Sequence, residues 1–249
     1  MLSLDHLSTI EADAARIRLA YDTDPSARIP WSDRWSVGTV ARHVAGAHHV
    51  VAGIIHGRPT ADFGLAESIE QPPKGDPGFP AWSAAGTDAL CDALRSADLD
   101  EPCWTSMPAG RGVRYWLRRM THETLVHRWD AEIGAGLDPG PFDTAVAADP
   151  VDEYLALAVP AICTLHRSPV RPAVHVACTD AELEWYLEFA DGGGCSVGDL
   201  PVPVAATLRG PAAGLLLALM GRQSFEEAGV ELQGDPSVLE RPGDLLPSA

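Results

Sequence analysis

Apolar side chains recur every three or four positions in five stretches of the first 160 or so residues, at about 4–22, 36–57, 80–98, 112–135 and 143–160. That is the period of amphipathic helices, and the joints between them are rich in Pro and Gly, so a helical bundle is predicted. The joint from Arg58 to Pro80 carries Pro59, Pro72, Pro73, Pro77 and Pro80 with three glycines. A connection of that length is more often functional than idle, and it is expected to wall a site.

Beyond Pro160 the period shortens to two. Val174, Val176 and Cys178 share one face of a predicted strand, and Trp185, Leu187 and Phe189 share one face of the next. The run Gly192, Gly193, Gly194 reads as a break, Val202 to Leu208 as a third strand, and Val230 to Gln233 as the last. Between the last two, Gly210-Pro211 opens the helix AAGLLLALM, proline being suited to a first helical turn. No repeat is visible. The fold class expected is α+β: a helical domain over 1–160 and a small α/β domain over 161–249, joined near residues 160–172.

Composition and charge remove several functions. The 46% hydrophobic and 21% charged fractions belong to an ordinary globular chain, so a disordered or fibrous protein is excluded. A formal net charge of −17 with only 18 Lys and Arg excludes a nucleic-acid partner, which needs clustered cations along a phosphate backbone. The opening MLSLDHLSTIEADAARIRLA carries acids where a signal peptide needs basic residues before an apolar run, and no segment is apolar long enough to span a bilayer. A cytoplasmic protein without membrane association is expected. Five cysteines, Cys91, Cys103, Cys163, Cys178 and Cys195, form no C-x-x-C pair, so they read as packing residues rather than a disulfide framework or zinc site.

The chemistry lies on the helix at 112–135, where Trp116, Met120, Glu123, His127 and Asp130 project to one side. A helix that turns an aromatic and a methionine inward should not also turn in a Glu and a His unless something pairs with them, and a metal ion is one such partner. The segment HETLVH differs from the H-E-x-x-H zinc helix. His122 and His127 are five apart and diverge by about 140°, whereas Glu123 and His127 are four apart and converge. A third ligand is offered by the helix at 36–57, whose apolar face is Val40, His43, Ala47, Val51 and Ile54, with His43 near its centre and His48 and His49 pointing away. Two ligands on one helix and one on a facing helix make a His₂Glu site with an open position. The alternative is a core histidine bonded to a carbonyl beside a Glu-His surface contact.

WSVGTVARHVAGAHHVVAGIIHG and WLRRMTHETLVHRWDAEIGAG resemble the second- and fourth-helix motifs of the mycothiol-dependent maleylpyruvate isomerase family, an actinobacterial branch of the DinB-like metal-binding bundles. His43, Glu123 and His127 fall on that family's ligand positions, and Trp35 opens its second-helix motif. AADPVDEYL, LRGPAAGLLLALMGR and VELQGDPSVL resemble its C-terminal part, so the likeness covers most of the chain. It implies a DinB-like four-helix-type bundle followed by a small sterol-carrier-like α/β domain.

The resemblance also implies an activity. A divalent ion, zinc first and nickel or iron next, would lower the pKa of the mycothiol thiol. The thiolate adds to a cis double bond, the new single bond rotates, and elimination returns the trans isomer. Addition without elimination is S-transfer. The implied partners are a small electrophile and the thiol. Arg222, after the predicted C-terminal helix, stands at the Gly-Arg step that the resemblance marks as an anion contact, though a cation near a helix C-terminus is favourable in any case. Arg119, four residues before Glu123, is expected to pair with it, and Asp130 to accept from a histidine and orient it. The same donor set also suits a metal hydrolase using bound water, or a protein that binds a thiol conjugate or metal without turnover.

Overall fold

The computed structural model describes residues 5–61, 69–107, 112–166, 172–190, 192, 194–198 and 202–236. Four long helices form where the 3.6-residue period predicted them: α1 (His6–Thr23), α2 (Val37–Gly57), α3 (Phe79–Ser96) and α4 (Gly112–Gly134). Each boundary has a local cause. Asp5 caps α1 by accepting from the Ser8 amide, Ser36 Oγ accepts from the Thr39 amide at 3.2 Å, and Pro80 sits in the first turn of α3, where a missing N–H costs nothing.

In the helical unit, Asp5–Gly140, α1 packs on α3 and α4, and α2 packs on the same two, closing a four-helix bundle. One core cluster joins Ile17, Ile29, Val37, Val40, Val44, Phe79 and Ala131. Gly134 is required at the end of α4, because a Cβ there would stand 2.7 Å from Ile29 Cδ1 and 2.9 Å from Val37 Cγ2. Helix α4 is buried on nearly every side, so its polar residues must be satisfied internally; the Thr121 and Thr124 hydroxyls donate back to Leu117 O and Met120 O.

The boundary near residue 160 is not where the units divide. The second unit begins at Pro141 and contains the fifth predicted helix, here α5 (Thr144–Glu153), which continues through a π turn (Tyr154–Ala158) into α6 (Val159–His166). Pro160 accounts for the irregularity: it lacks the N–H that would bond residue 156, and the Val159 amide bonds Tyr154 O in the wider π spacing. Helix α5 belongs with this unit because it packs against α7 (Ala212–Leu219), whose four leucines and three alanines make it too apolar to stand alone.

The sheet has the order β3-β2-β1-β4-β5, with β1 (Val174–Cys178) parallel to β4 (Ala206–Gly210) and every other pairing antiparallel, so the fold is α+β. The register sets Trp185, Val176, Leu208 and Leu232 in one row and Leu187, Val174 and Ala206 in the next, as the alternation required. Two details differ from the sequence reading. Gly194–Gly198 is a strand, β3, pairing with β2 (Glu184–Ala190), and the strand read as Val202 to Leu208 begins at Ala206. The triglycine masked β3, since glycine weakens a strand's apolar pattern although its backbone still completes the ladder. The last strand, β5, is Glu231–Gly234.

Candidate metal centre

Helices α2 and α4 bring together three candidate ligand side chains from 80 residues apart in sequence. One donor atom each from His43, Glu123 and His127 lies within 4.8 Å of the other two, the sole such group of His, Cys, Asp and Glu among the described residues. Glu123 Oε1 is 2.6 Å from His43 Nε2 and 3.1 Å from His127 Nε2. The pair on α4 converges because residues four apart share a helix face, and His122, one residue before Glu123, is turned into the core, 1% exposed.

The surrounding groups prepare these atoms. Asp130 Oδ2 accepts from His127 Nδ1 at 2.8 Å, which fixes the ring with Nε2 toward Glu123 and His43, so that Nε2 becomes the ligating nitrogen once its own proton leaves. Arg119 pairs with the other Glu123 oxygen, Oε2. The Trp35 ring stacks on His127 at 5.4 Å between centroids and meets the His43 ring edge-on at 5.1 Å, walling the group on one side.

Burial by itself would raise the Glu123 carboxyl, but the Arg119 and His127 charges and the histidine hydrogen bonds outweigh it and hold the carboxyl well below its ordinary range. Burial by itself would lower His127; the Glu123 charge and the Asp130 hydrogen bond outweigh it and raise the imidazole to about 9. An anionic oxygen and two imidazole nitrogens, one on a ring held in the ligating orientation by Asp130, are the donor chemistry of a His₂Glu cation site, so the residues fit a divalent ion.

One expectation about α2 is corrected. His43 is not at the centre of the buried face; its side chain is 43% exposed, at the rim. The deeply buried line is Val37, Ala41, Val44, His48, Val51 and Ile55, so His48 occupies the position assigned to His43. His48 is fully enclosed, its Nδ1 3.2 Å from Thr87 Oγ1 and its Nε2 2.9 Å from Thr124 Oγ1, and burial lowers its pKa to about 3. It is a neutral core histidine. The sequence reading turned it away because it centred the apolar face on His43, and nothing local announced two threonines from other helices.

A cleft of about 490 Å³ opens beside His43, bordered by Trp35, Arg42, Lys74 and the chain around Gln71 and Gly75. The described part of the predicted loop, 69–78, thus contributes to a wall next to a ligand; residues 62–68 lie outside the described chain. The sequence reading missed Arg42 and Lys74, which no motif marks. Residues 7–132 match the family described as the mycothiol maleylpyruvate isomerase N-terminal domain, and 145–241 match its MDMPI C-terminal domain.

The chain belongs to the mycothiol maleylpyruvate isomerase family. Its fold is that of two solved structures, the crystal structure of the mycothiol-dependent maleylpyruvate isomerase and that of a histidine-to-alanine mutant of it. Identities are 12% and 13%, each covers 93% of both chains, and each TM-score is 0.65. No curated protein sequence matches the chain.

In this family member Arg222 belongs to the second unit. It follows Gly221, which has φ +69°, at the end of α7; its amide bonds Leu217 O at 2.8 Å and its Nη1 donates to Met220 O at 2.6 Å. It stands at the helix terminus, where a positive charge is favourable, and the residue is half-buried there. The five cysteines are all free; Cys91 and Cys163 are buried and the other three partly so. Among the described residues no helix is long and apolar enough to cross a membrane.

Proposed function

We propose that this protein is a metal-dependent enzyme that activates the thiol of mycothiol for addition to an electron-poor cis double bond, as a maleylpyruvate-type isomerase or, where the adduct is kept, as an S-transferase. The observation that carries the reading is the convergence of His43, Glu123 and His127 in a chain of this family. When bound, a divalent ion, with zinc the first choice, would supply the positive charge that makes a thiolate available at neutral pH.

The chain's own residues do the rest. Asp130 holds the His127 proton on Nδ1, Arg119 fixes the Glu123 carboxylate through its second oxygen, and Trp35 excludes water from one side of the imidazoles. The exposed edge of His43 leaves the approach open from the cleft, where a thiol and an electrophile can enter. Arg222 is proposed as the cation that meets the substrate carboxylate or the enolate charge growing on it.

Chelator-free protein should contain one divalent ion per chain by elemental analysis, and should isomerise maleylpyruvate when mycothiol is added but not without it. Absence of metal with no uptake of added zinc refutes the metal centre. Turnover that ignores mycothiol refutes the thiol chemistry and points to hydrolysis by bound water.

A further inference from the structure

The cleft beside His43 has a charge that its chain does not. The sequence holds 35 Asp and Glu against 18 Lys and Arg, yet none of the residues lining this cleft is acidic and two of them, Arg42 and Lys74, are cationic. Lys74 is the sole lysine of the protein. Elsewhere in the helical unit six arginines pair with carboxylates: Arg16 and Arg128 with Glu132, Arg58 with Glu101, Arg95 with Glu11, Arg114 with Asp100 and Arg119 with Glu123. Neither Arg42 nor Lys74 has a carboxylate partner among the described residues.

Arg42 also builds the cleft. Its Nη2 donates to Pro72 O at 2.6 Å and its guanidinium lies over the Phe79 ring, 5.4 Å from the centroid. Through that bond the segment carrying Lys74 is tied to α2, and the Gln71 amide rests where a Cβ on Gly46 would be, 2.6 Å away. The Arg42 Nη1 is buried without a hydrogen-bond acceptor, a condition that a cation sustains poorly unless something supplies one.

We propose that this cleft seats a carboxylate of the electrophile, gripped by Arg42 and Lys74 at the mouth that His43 and Trp35 share with the metal centre. The assignment rests on the metal-centre reading for its chemistry. A double bond conjugated to a carboxylate gains negative charge when a thiolate adds, and two unpaired cations beside the approach oppose that cost. Lys74 supplies a mobile point charge and Arg42 a fixed one.

The test uses the full chain, metal-free and zinc-loaded, with succinate as an unreactive diacid and dimethyl succinate as its neutral control. Lysine-selective ¹⁵N labelling gives one ammonium signal, that of Lys74, and succinate should shift it while the diester does not. Lys74→Met and Arg42→Gln should each weaken succinate binding about ten-fold, the scale of one charge-assisted contact, with zinc content and mycothiol affinity unchanged. Lys74 is exposed, so its variant folds whatever Arg42→Gln does. Unchanged succinate affinity in Lys74→Met overturns the proposal, and so does a loss of mycothiol affinity in its place, which would give the cleft to the thiol. Succinate binding through Lys74 in a protein that takes up no zinc keeps the carboxylate site and removes the metal centre; zinc uptake without succinate binding does the reverse.

Discussion

Asp130→Asn reads the metal centre through a residue that touches a ligand ring without supplying a ligand atom. The Asp130 carboxylate, 2% exposed, accepts from His127 Nδ1 at 2.8 Å and so directs Nε2 to Glu123 and His43. Without metal, His127 is raised to about 9, the Glu123 charge and the Asp130 hydrogen bond outweighing the opposite effect of burial. The sign runs two ways. The charged imidazole stabilises the metal-free fold below the unfolded value of 6.5, and that contribution is lost as pH rises through about 9. Metal affinity does the opposite, climbing as the proton leaves. At pH 7 the proton competes over about two pH units, which costs about 2.7 kcal/mol, or roughly a hundredfold in apparent affinity. Asp130→Asn removes the orienting charge, which should lower intrinsic affinity by about 10–100-fold, but it also lowers the His127 pKa and relieves the competition. The variant's deficit should therefore be full at pH 9 and smaller at pH 7. Competition against a chromophoric chelator at both pH values measures it. Equal affinity of variant and wild type at pH 9, or a deficit larger at pH 7 than at pH 9, refutes the reasoning.

Acid should unfold the protein partly through His48. Its folded pKa of about 3 lies below the unfolded 6.5, so stability is full above 6.5 and falls with pH, by about 2 kcal/mol from pH 7 to 5; urea midpoints of wild type and His48→Leu should differ by that slope, and parallel curves would contradict it. His43→Ala, Glu123→Ala and His127→Ala should each lose the ion while staying folded, whereas His49→Ala and His122→Ala keep it; elemental analysis reversing His122 and His127 would show that the ligand face is wrong. Arg222→Ala should retain the ion and cut turnover by about 10²-fold, with lysine restoring only part. A lower melting temperature with normal turnover would leave Arg222 as a helix-end residue only.

Local periodicity carried much of the fold. The helices around His43 and Glu123 begin and end within a residue or two of the expected positions because caps, prolines and the apolar period act over a few residues. Strand β3 escaped because Gly194–Gly198 has no alternation to read, and its pairing with β2 depends on backbone bonds to residues that only the sheet brings near. The division at Pro141 escaped for a similar reason, since α5 has the same period whichever unit it packs against.

The candidate ligand set was legible for the two of its three members that lie on one helix: a spacing of four places Glu123 and His127 together in any α-helix, and it separates His122 from them. The apolar face read on α2 selects His43 over His48, and the resemblance of the flanking motif selects it again, although α2 turns His48 to the buried side and leaves His43 at the rim. Which histidine is the enclosed neutral one and which stands at the rim was decided by partners from other helices, Thr87 and Thr124 for His48, Trp35 and Glu123 for His43. The same holds for Arg42 and Lys74, unremarkable in sequence and brought to one cleft by a side-chain bond to a loop carbonyl. Periodicity is a property of consecutive residues, so the sequence alone determined the helices, most of the strands and one candidate ligand pair; burial, protonation and charge balance depend on what other segments bring within a few ångströms, and those only the tertiary structure decided.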